Sequence, residues 1–223
     1  IIAIGDITDL GFVGAANANG NSYATFSFKV ADGTGYSTDA GTNTINLAAV
    51  NDLPTTGDQT ISATEDVADM YASGDFTYAD SVEGSAITHV KITTLESAGT
   101  LFVDADDDDT YDANEDVTLN QIIAIGDITD LGFVGAANAN GNSYATFSFK
   151  VSDGTGYSTD AGTNTINLAA VDDAPAFSAA TASANAAENQ VAVGTYTATD
   201  TESDSIVYTI SGTDSDLFSI GSS

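Results

Sequence analysis

The chain has 223 residues with 33 Asp and Glu against three Lys and Arg and one His, a formal net charge of −30. A small soluble domain usually carries a net charge of about 2 to 8 in magnitude, so self-repulsion opposes compaction here unless salt or bound cations offset it. The three lysines cannot neutralise a phosphate backbone, which excludes nucleic acid as a partner, and the absence of Cys excludes disulfides and thiol chemistry.

Hydrophobic residues still make up 42% of the chain, in strand-like runs that predict a packed core rather than disorder. Alternation is clearest at 24–30, where Ala24, Phe26, Phe28 and Val30 share one face and Thr25, Ser27 and Lys29 the other. Similar patterns predict strands at 43–50, 87–93, 100–103, 117–123, 143–151, 193–198 and 206–210. Clusters such as Asn17-Ala18-Asn19-Gly20-Asn21 and Asp32-Gly33-Thr34-Gly35 read as turns. No segment shows a sustained helical period, so the expected fold is all-β and built of antiparallel β-sandwiches. Phe26, Phe28, Tyr78 and Tyr208 fit the strand spacing and are expected in the core. No run of about twenty apolar residues predicts a membrane span, and no positively charged leader is visible, so neither membrane insertion nor an export signal within this segment is expected.

Residues 1–50 recur at 122–171 with a single difference, Ala31 against Ser152, a period of 121 residues. That is too long for a solenoid repeat and matches one folding unit with its linker. The expected organisation is the second half of one unit at 1–50, a complete unit at 51–171 and the first half of another at 172–223. Pro54 and Pro175, the only prolines, sit at equivalent junctions, each following a strand it cannot continue.

Val171-Asp172-Asp173-Ala174-Pro175-Ala176-Phe177 resembles a cadherin linker. Ala187-Glu188-Asn189 and Asp200-Thr201-Glu202-Ser203-Asp204 resemble the two acidic motifs of a cadherin-like first half. The 51–171 unit is similar to the Ig-like and cadherin-like tandem repeats of giant, type I secreted (RTX-type) bacterial adhesins. The phrases that carry the likeness are Val90-Lys91-Ile92-Thr93-Thr94-Leu95, Gly99-Thr100-Leu101, Ala136-Ala137-Asn138-Ala139-Asn140-Gly141 and Phe149-Lys150-Val151-Ser152-Asp153-Gly154. The resemblance implies calcium-stiffened sandwich domains arranged end to end, extracellular or on a bacterial cell surface, with neighbouring repeats or identical chains as partners. Glu202 stands where the family more often has Asp, and Leu53 replaces the usual linker Ala.

Two acidic constellations are candidate Ca2+ sites. In the segment from Asp104 to Glu115, side-chain oxygens fall at Asp104, Asp106, Asp108 and Asp112, with Glu115 at the twelfth position and the Thr110 carbonyl at the seventh. That is calcium-loop spacing, although Asp109 occupies the turn position usually held by Gly and the flanks read as strands. The competing reading is an acidic hairpin tip that keeps an edge soluble. The second constellation rests on the resemblance: Asp172, Asp173, Glu188, Asp200 and Glu202, with Asp153, at one junction, and Asn51, Asp52, Glu65, Asp80, Glu83 and Asp32 at the preceding one. Here the competing reading is a solvated acidic surface.

Enzymatic chemistry is not expected. The lone His89 lies on a strand opposite Val90 and Ile92 and lacks the partners of a nucleophilic triad. The reading is a calcium-rigidified spacer or fibre segment of an adhesin whose distal receptor the sequence does not identify. One alternative is a self-assembling filament subunit, in which 172–223 of one chain and 1–50 of another complete a sandwich by strand complementation. Another is a carbohydrate- or protein-binding module, for which no concave site is visible in the pattern.

Overall fold

The computed structural model describes residues 2, 8, 10–179, 182–190 and 193–221, and the fold is nearly all β. Among the described residues twelve strands follow in chain order: β1 (Gly20–Phe28), β2 (Gly41–Leu47), β3 (Gln59–Thr64), β4 (Ala68–Met70), β5 (His89–Thr94), β6 (Thr100–Val103), β7 (Ile122–Ala124), β8 (Leu131–Val134), β9 (Gly141–Ser152), β10 (Gly162–Ala169), β11 (Ala176–Phe177) and β12 (Ala198–Thr199). The helical elements among the described residues are 3-10 turns, the longest at Ile125–Asp130.

A five-stranded sheet, ordered β3-β10-β9-β5-β7, and a three-stranded sheet, ordered β4-β8-β6, share one core. The first contributes Ala63, Val90, Ile92, Ile123, Phe147, Phe149 and Ile166, the second Leu101, Leu131 and Phe133. Period-two alternation places these residues inward, as in β9, where every second residue from Ala145 to Val151 is buried. Tyr71 and Phe76 lie over the ring pair of β9, with Tyr71–Phe147 at 5.9 Å and Phe76–Phe149 at 5.0 Å, both edge to face. Gly132 within β8 has a steric cause: a Cβ there would lie 2.3 Å from the Phe102 ring.

Three features differ from the sequence expectation. The pairing is not antiparallel throughout, because β3 runs parallel to β10, with Thr64 opposite Ala169. Predicted strands at 193–198 and 206–210 reduce to the two-residue β12, and of 117–123 only its end is strand, although Val117 is buried. Phe26, Phe28 and Tyr208 are 37%, 48% and 38% exposed rather than in the core, because Phe26 and Phe28 sit on a two-stranded hairpin outside the core and Tyr208 lies outside any strand against Phe177, while Tyr78 is half-buried against the core.

The flanking regions are smaller. β1 and β2 form an antiparallel hairpin, and β11 pairs with β12. The rungs Ala176↔Thr199 and Thr55↔Ala79 occupy equivalent places after the two prolines.

Candidate metal centres

The parallel rung between β3 and β10 sets the first site. Glu65 follows β3, and its N–H donates to the Ala169 carbonyl at 3.0 Å, so its side chain lies beside the chain leaving β10. Glu65 Oε1 accepts the Val171 N–H at 2.7 Å, and the residue is completely buried. Its other oxygen, Oε2, has no hydrogen-bond partner, and neither do the buried Asp173 Oδ2 and Glu202 Oε1. Glu202 Oε2 accepts the Asp173 N–H at 3.0 Å, which joins the linker to the 200–204 turn.

Asp173 is raised from its ordinary value by burial and then by Asp66, Glu202, Glu65 and Asp200. Asp204 is raised by a hydrogen bond with Asp172 and by repulsion from Asp200 and Asp172. Seven carboxylates from the end of β3, the linker and the following turn therefore lie near enough to influence one another, without, among the described residues, the mutual 4.8 Å approach found in the 104–115 loop. No lysine offsets them: Lys29 and Lys150 donate to the carbonyls of Thr38 and Thr159, and Lys91 lies over the Tyr157 ring.

The upstream junction repeats part of this geometry. The Asp52 N–H donates to Glu83 Oε2 at 3.2 Å, as Asp173 does to Glu202, and the Asn51 amide donates to Asp153 Oδ2 at 2.8 Å. Asp80 is raised by burial, but the N–H groups of Glu83, Gly84 and Ser85 outweigh this and hold it below its ordinary value. Asp153 is lowered further, first by the Asn51 amide and then by the Thr155 hydroxyl.

The structure thus regroups the residues picked from sequence. Glu65 joins the Asp172–Asp173 linker rather than the Asn51–Asp52 one, and Asp153 does the reverse. The cause is β9, whose 12 residues span about 40 Å at ~3.3 Å per residue and separate Asp153 from the β3 end. Asp32 caps its own turn through the Thr34 hydroxyl and the Thr34 and Gly35 N–H groups. Glu188 is exposed. Asp66 and Asp204 belong to the downstream cluster and were missed, although Asp204 stands inside the acidic motif that carried the resemblance. No sequence spacing pointed to Asp66, because only the parallel rung brings it there.

The third cluster is the 104–115 loop. It is the tip of a hairpin closed by the Val103 N–H to Glu115 carbonyl bond at 2.9 Å and the Val117 N–H to Leu101 carbonyl bond at 2.9 Å. Carboxylate oxygens of Asp104, Asp106 and Asp108 lie within 4.8 Å of one another, an arrangement that can hold a metal ion. Asp104 is buried and accepts the N–H groups of Asp106, Asp107 and Asp109. Burial raises its carboxyl, but these bonds outweigh that effect and lower it. Asp106 is raised by Asp108, by burial, and by Asp104, Asp112 and Glu115, but of the five predicted side-chain ligands only Asp104, Asp106 and Asp108 bring their oxygens within 4.8 Å of one another. Glu115 accepts the N–H groups of Ala105 and Asp112, while the Thr110 N–H and hydroxyl both donate to Asp108. Asp109, where Gly was expected, has φ 58, in the left-handed region that Asp tolerates better than most residues.

His89 is half-buried, with Nδ1 3.0 Å from the Thr88 hydroxyl. Among the described residues, no helix is long and apolar enough to cross a membrane. Comparison of the chain with protein-family models, curated proteins and solved structures finds no match.

Proposed function

We propose that this chain is a spacer or fibre segment of an extracellular, bacterial-surface adhesin: a tandem row of β-sandwich units whose junctions are stiffened by Ca2+. The observation that carries this reading is the set of buried, unpartnered oxygens of Glu65, Asp173 and Glu202. A buried polar group without a partner costs about 1–3 kcal/mol, and more when charged. Several converging carboxylates multiply that cost unless a cation completes them. The donors are all hard oxygens, with neither His nor Cys among them, which suits calcium and its six to eight oxygen ligands.

An ion held there joins β3 of one unit, the linker, and the 200–204 turn of the next. It therefore binds best when their relative orientation is fixed, and stiffness becomes conditional on calcium. At free calcium about 100 times the dissociation constant, each such site stabilises the assembled arrangement by roughly 2.7 kcal/mol. The 104–115 loop is a second candidate, positioned to brace one hairpin rather than a junction. The role is mechanical, not catalytic.

Calorimetric calcium titration of the 223-residue chain and of Glu65→Gln tests the reading, with small-angle scattering in calcium and in chelator. The variant should lose one binding event, and the parent should become shorter in chelator. Equal stoichiometry and affinity in Glu65→Gln would leave the cluster as a solvated acidic surface. Acidification adds a signed check. Because Asp173 and Asp204 are raised in the metal-free form, their ionised state opposes folding above those values. Protonation then relieves the repulsion while competing with calcium. Calcium affinity should therefore fall as pH drops and these carboxyls protonate, and the metal-free junction should gain stability.

A further inference from the structure

Asparagine is among the thermolabile residues, and its weakness depends on the residue that follows. The backbone nitrogen of that residue can attack the side-chain amide carbon and close a five-membered imide, an approach that a following side chain crowds. Of the asparagines in the chain only Asn19 and Asn140 precede glycine, which has no Cβ to obstruct the ring. Both pairs lie in the repeated segment, one period apart.

The structure leaves the Asn140–Gly141 pair open to this reaction. Asn140 is exposed in the connection between β8 and β9. A Cβ built on Gly141 would meet no atom within 4 Å, so nothing crowds the attacking nitrogen from that side. Gly20 has the same φ of 144 and the same open surroundings. Other asparagines are held. The amides of Asn51, Asn138 and Asn164 donate to Asp153, Thr201 and the Asp75 carbonyl, and Asn46 and Asn167 accept the N–H groups of Ser22 and Ser143. Among the described residues no such bond fixes the Asn140 side chain. The pairs Asp32–Gly33 and Asp153–Gly154 have the same spacing, but a carboxyl closes the imide only when protonated. Their turns keep both ionised, Asp32 at about 2 and Asp153 lower still.

We propose that Asn140 and its repeat Asn19 are spontaneous modification sites, at which the following glycine nitrogen displaces the side-chain amide. The new N–Cγ bond forms as the Cγ–NH2 bond breaks, the glycine proton leaves with the amine as ammonia, and water then opens the imide. Opening at the side-chain carbonyl leaves aspartate. Opening at the main-chain carbonyl leaves isoaspartate, with an extra methylene in the backbone. No group is oxidised or reduced, and each event adds one negative charge. At 140 that charge arises two residues from Asn138, whose amide donates at 3.2 Å to Thr201 in the acidic 200–204 turn. The loop that meets the next unit therefore becomes more acidic as the chain ages, whether or not a metal is bound.

Incubation of the folded 223-residue chain in mildly alkaline buffer, sampled over weeks by peptide mass spectrometry, tests this. A methyltransferase specific for isoaspartate supplies a second readout, and circular dichroism checks that the sampled chain is still folded. Asn19 and Asn140 should both convert with isoaspartate among the products, while Asn17, Asn21, Asn138 and Asn142 in the same two turns, and Asp32 and Asp153, stay as they are. Asn140→Gln should lose the methyltransferase label at 140 and keep it at 19. Conversion of Asn140 in denatured chain but not in folded chain overturns the proposal. Equal conversion at the neighbouring asparagines overturns it too. A product that is aspartate alone also overturns it, because direct hydrolysis of the amide, without an imide, gives that result.

Discussion

The hairpin β1–β2 and the pair β9–β10 have the same sequence and the same local structure, yet one pair is bare and the other is core. Asn17 and Asn138 have φ 59 and 58, Ser22 and Ser143 have φ 57 and 51, and Gly20 and Gly141 both have φ 144. The Tyr23 and Tyr144 hydroxyls each accept the N–H eight residues earlier, at 3.1 Å in both cases. Turn chemistry, register and strand direction are therefore local properties, fixed by side chains within about thirty residues. Burial is not, because it depends on a covering segment, which among the described residues lies over β9 and β10 and not over β1 and β2. The difference separates what a strand contributes to its own shape from what it contributes to stability.

The largest expected effect follows from this contrast. Phe149→Ala removes a fully buried ring that packs against Phe76 and should cost about 3–5 kcal/mol. Phe28→Ala, the same substitution in the same local sequence, should cost less than about 1 kcal/mol in a chain dilute enough to be monomeric. Denaturant titration measures both. Equal losses would mean that β1 is covered in solution.

How far the sequence could be read follows the same division. β1, β2, β5, β6 and β9 were visible because alternation and turn residues are local signals. β3 escaped notice: Gln59-Thr60-Ile61-Ser62-Ala63-Thr64 is mostly small and polar, and it is held by parallel pairing to a strand about a hundred residues away. β8 escaped because Gly132 interrupts its pattern for the sake of the Phe102 ring. The 104–115 loop was legible because all its carboxylates lie in one short stretch. The junction was legible only in part. Its linker acids could be picked out, but Glu65 and Asp66 reach it through the β3–β10 rung, and no spacing in the chain encodes that.

The single difference between the two copies allows a finer test. Ser152 is buried, and its hydroxyl oxygen accepts the Gly154 N–H at 3.0 Å, whereas Ala31 at the equivalent place is exposed and offers nothing to Gly33. Ser152→Ala leaves that N–H without its partner and should cost about 1 kcal/mol. Ala31→Ser should change stability by less than about 0.5 kcal/mol, because that turn is exposed to solvent. Thermal unfolding of the two variants checks the pair. A neutral Ser152→Ala would show that Gly154 finds another acceptor.

The smallest effect concerns the twin turns of Asp32 and Asp153. The Thr34 hydroxyl, followed by the Thr34 and Gly35 N–H groups, lowers Asp32 from 3.8 to about 2. Asp153 has the same turn, but the Asn51 amide is the largest influence on it and takes it lower still. Because both carboxyls are depressed on folding, the stability they contribute is present above the ordinary carboxylate value and lost as pH falls through the folded one. For Asp32 that window runs from 3.8 down to about 2, and for Asp153 it extends further into acid. A carboxyl-detected NMR titration should therefore show Asp32 protonating first. Asn51→Ala should raise the Asp153 midpoint toward that of Asp32 and leave Asp32 unmoved, since Asp32 caps its turn without an amide from any linker. If the two aspartates protonate together in the parent chain, the Asn51–Asp153 bond does not hold the upstream linker in solution.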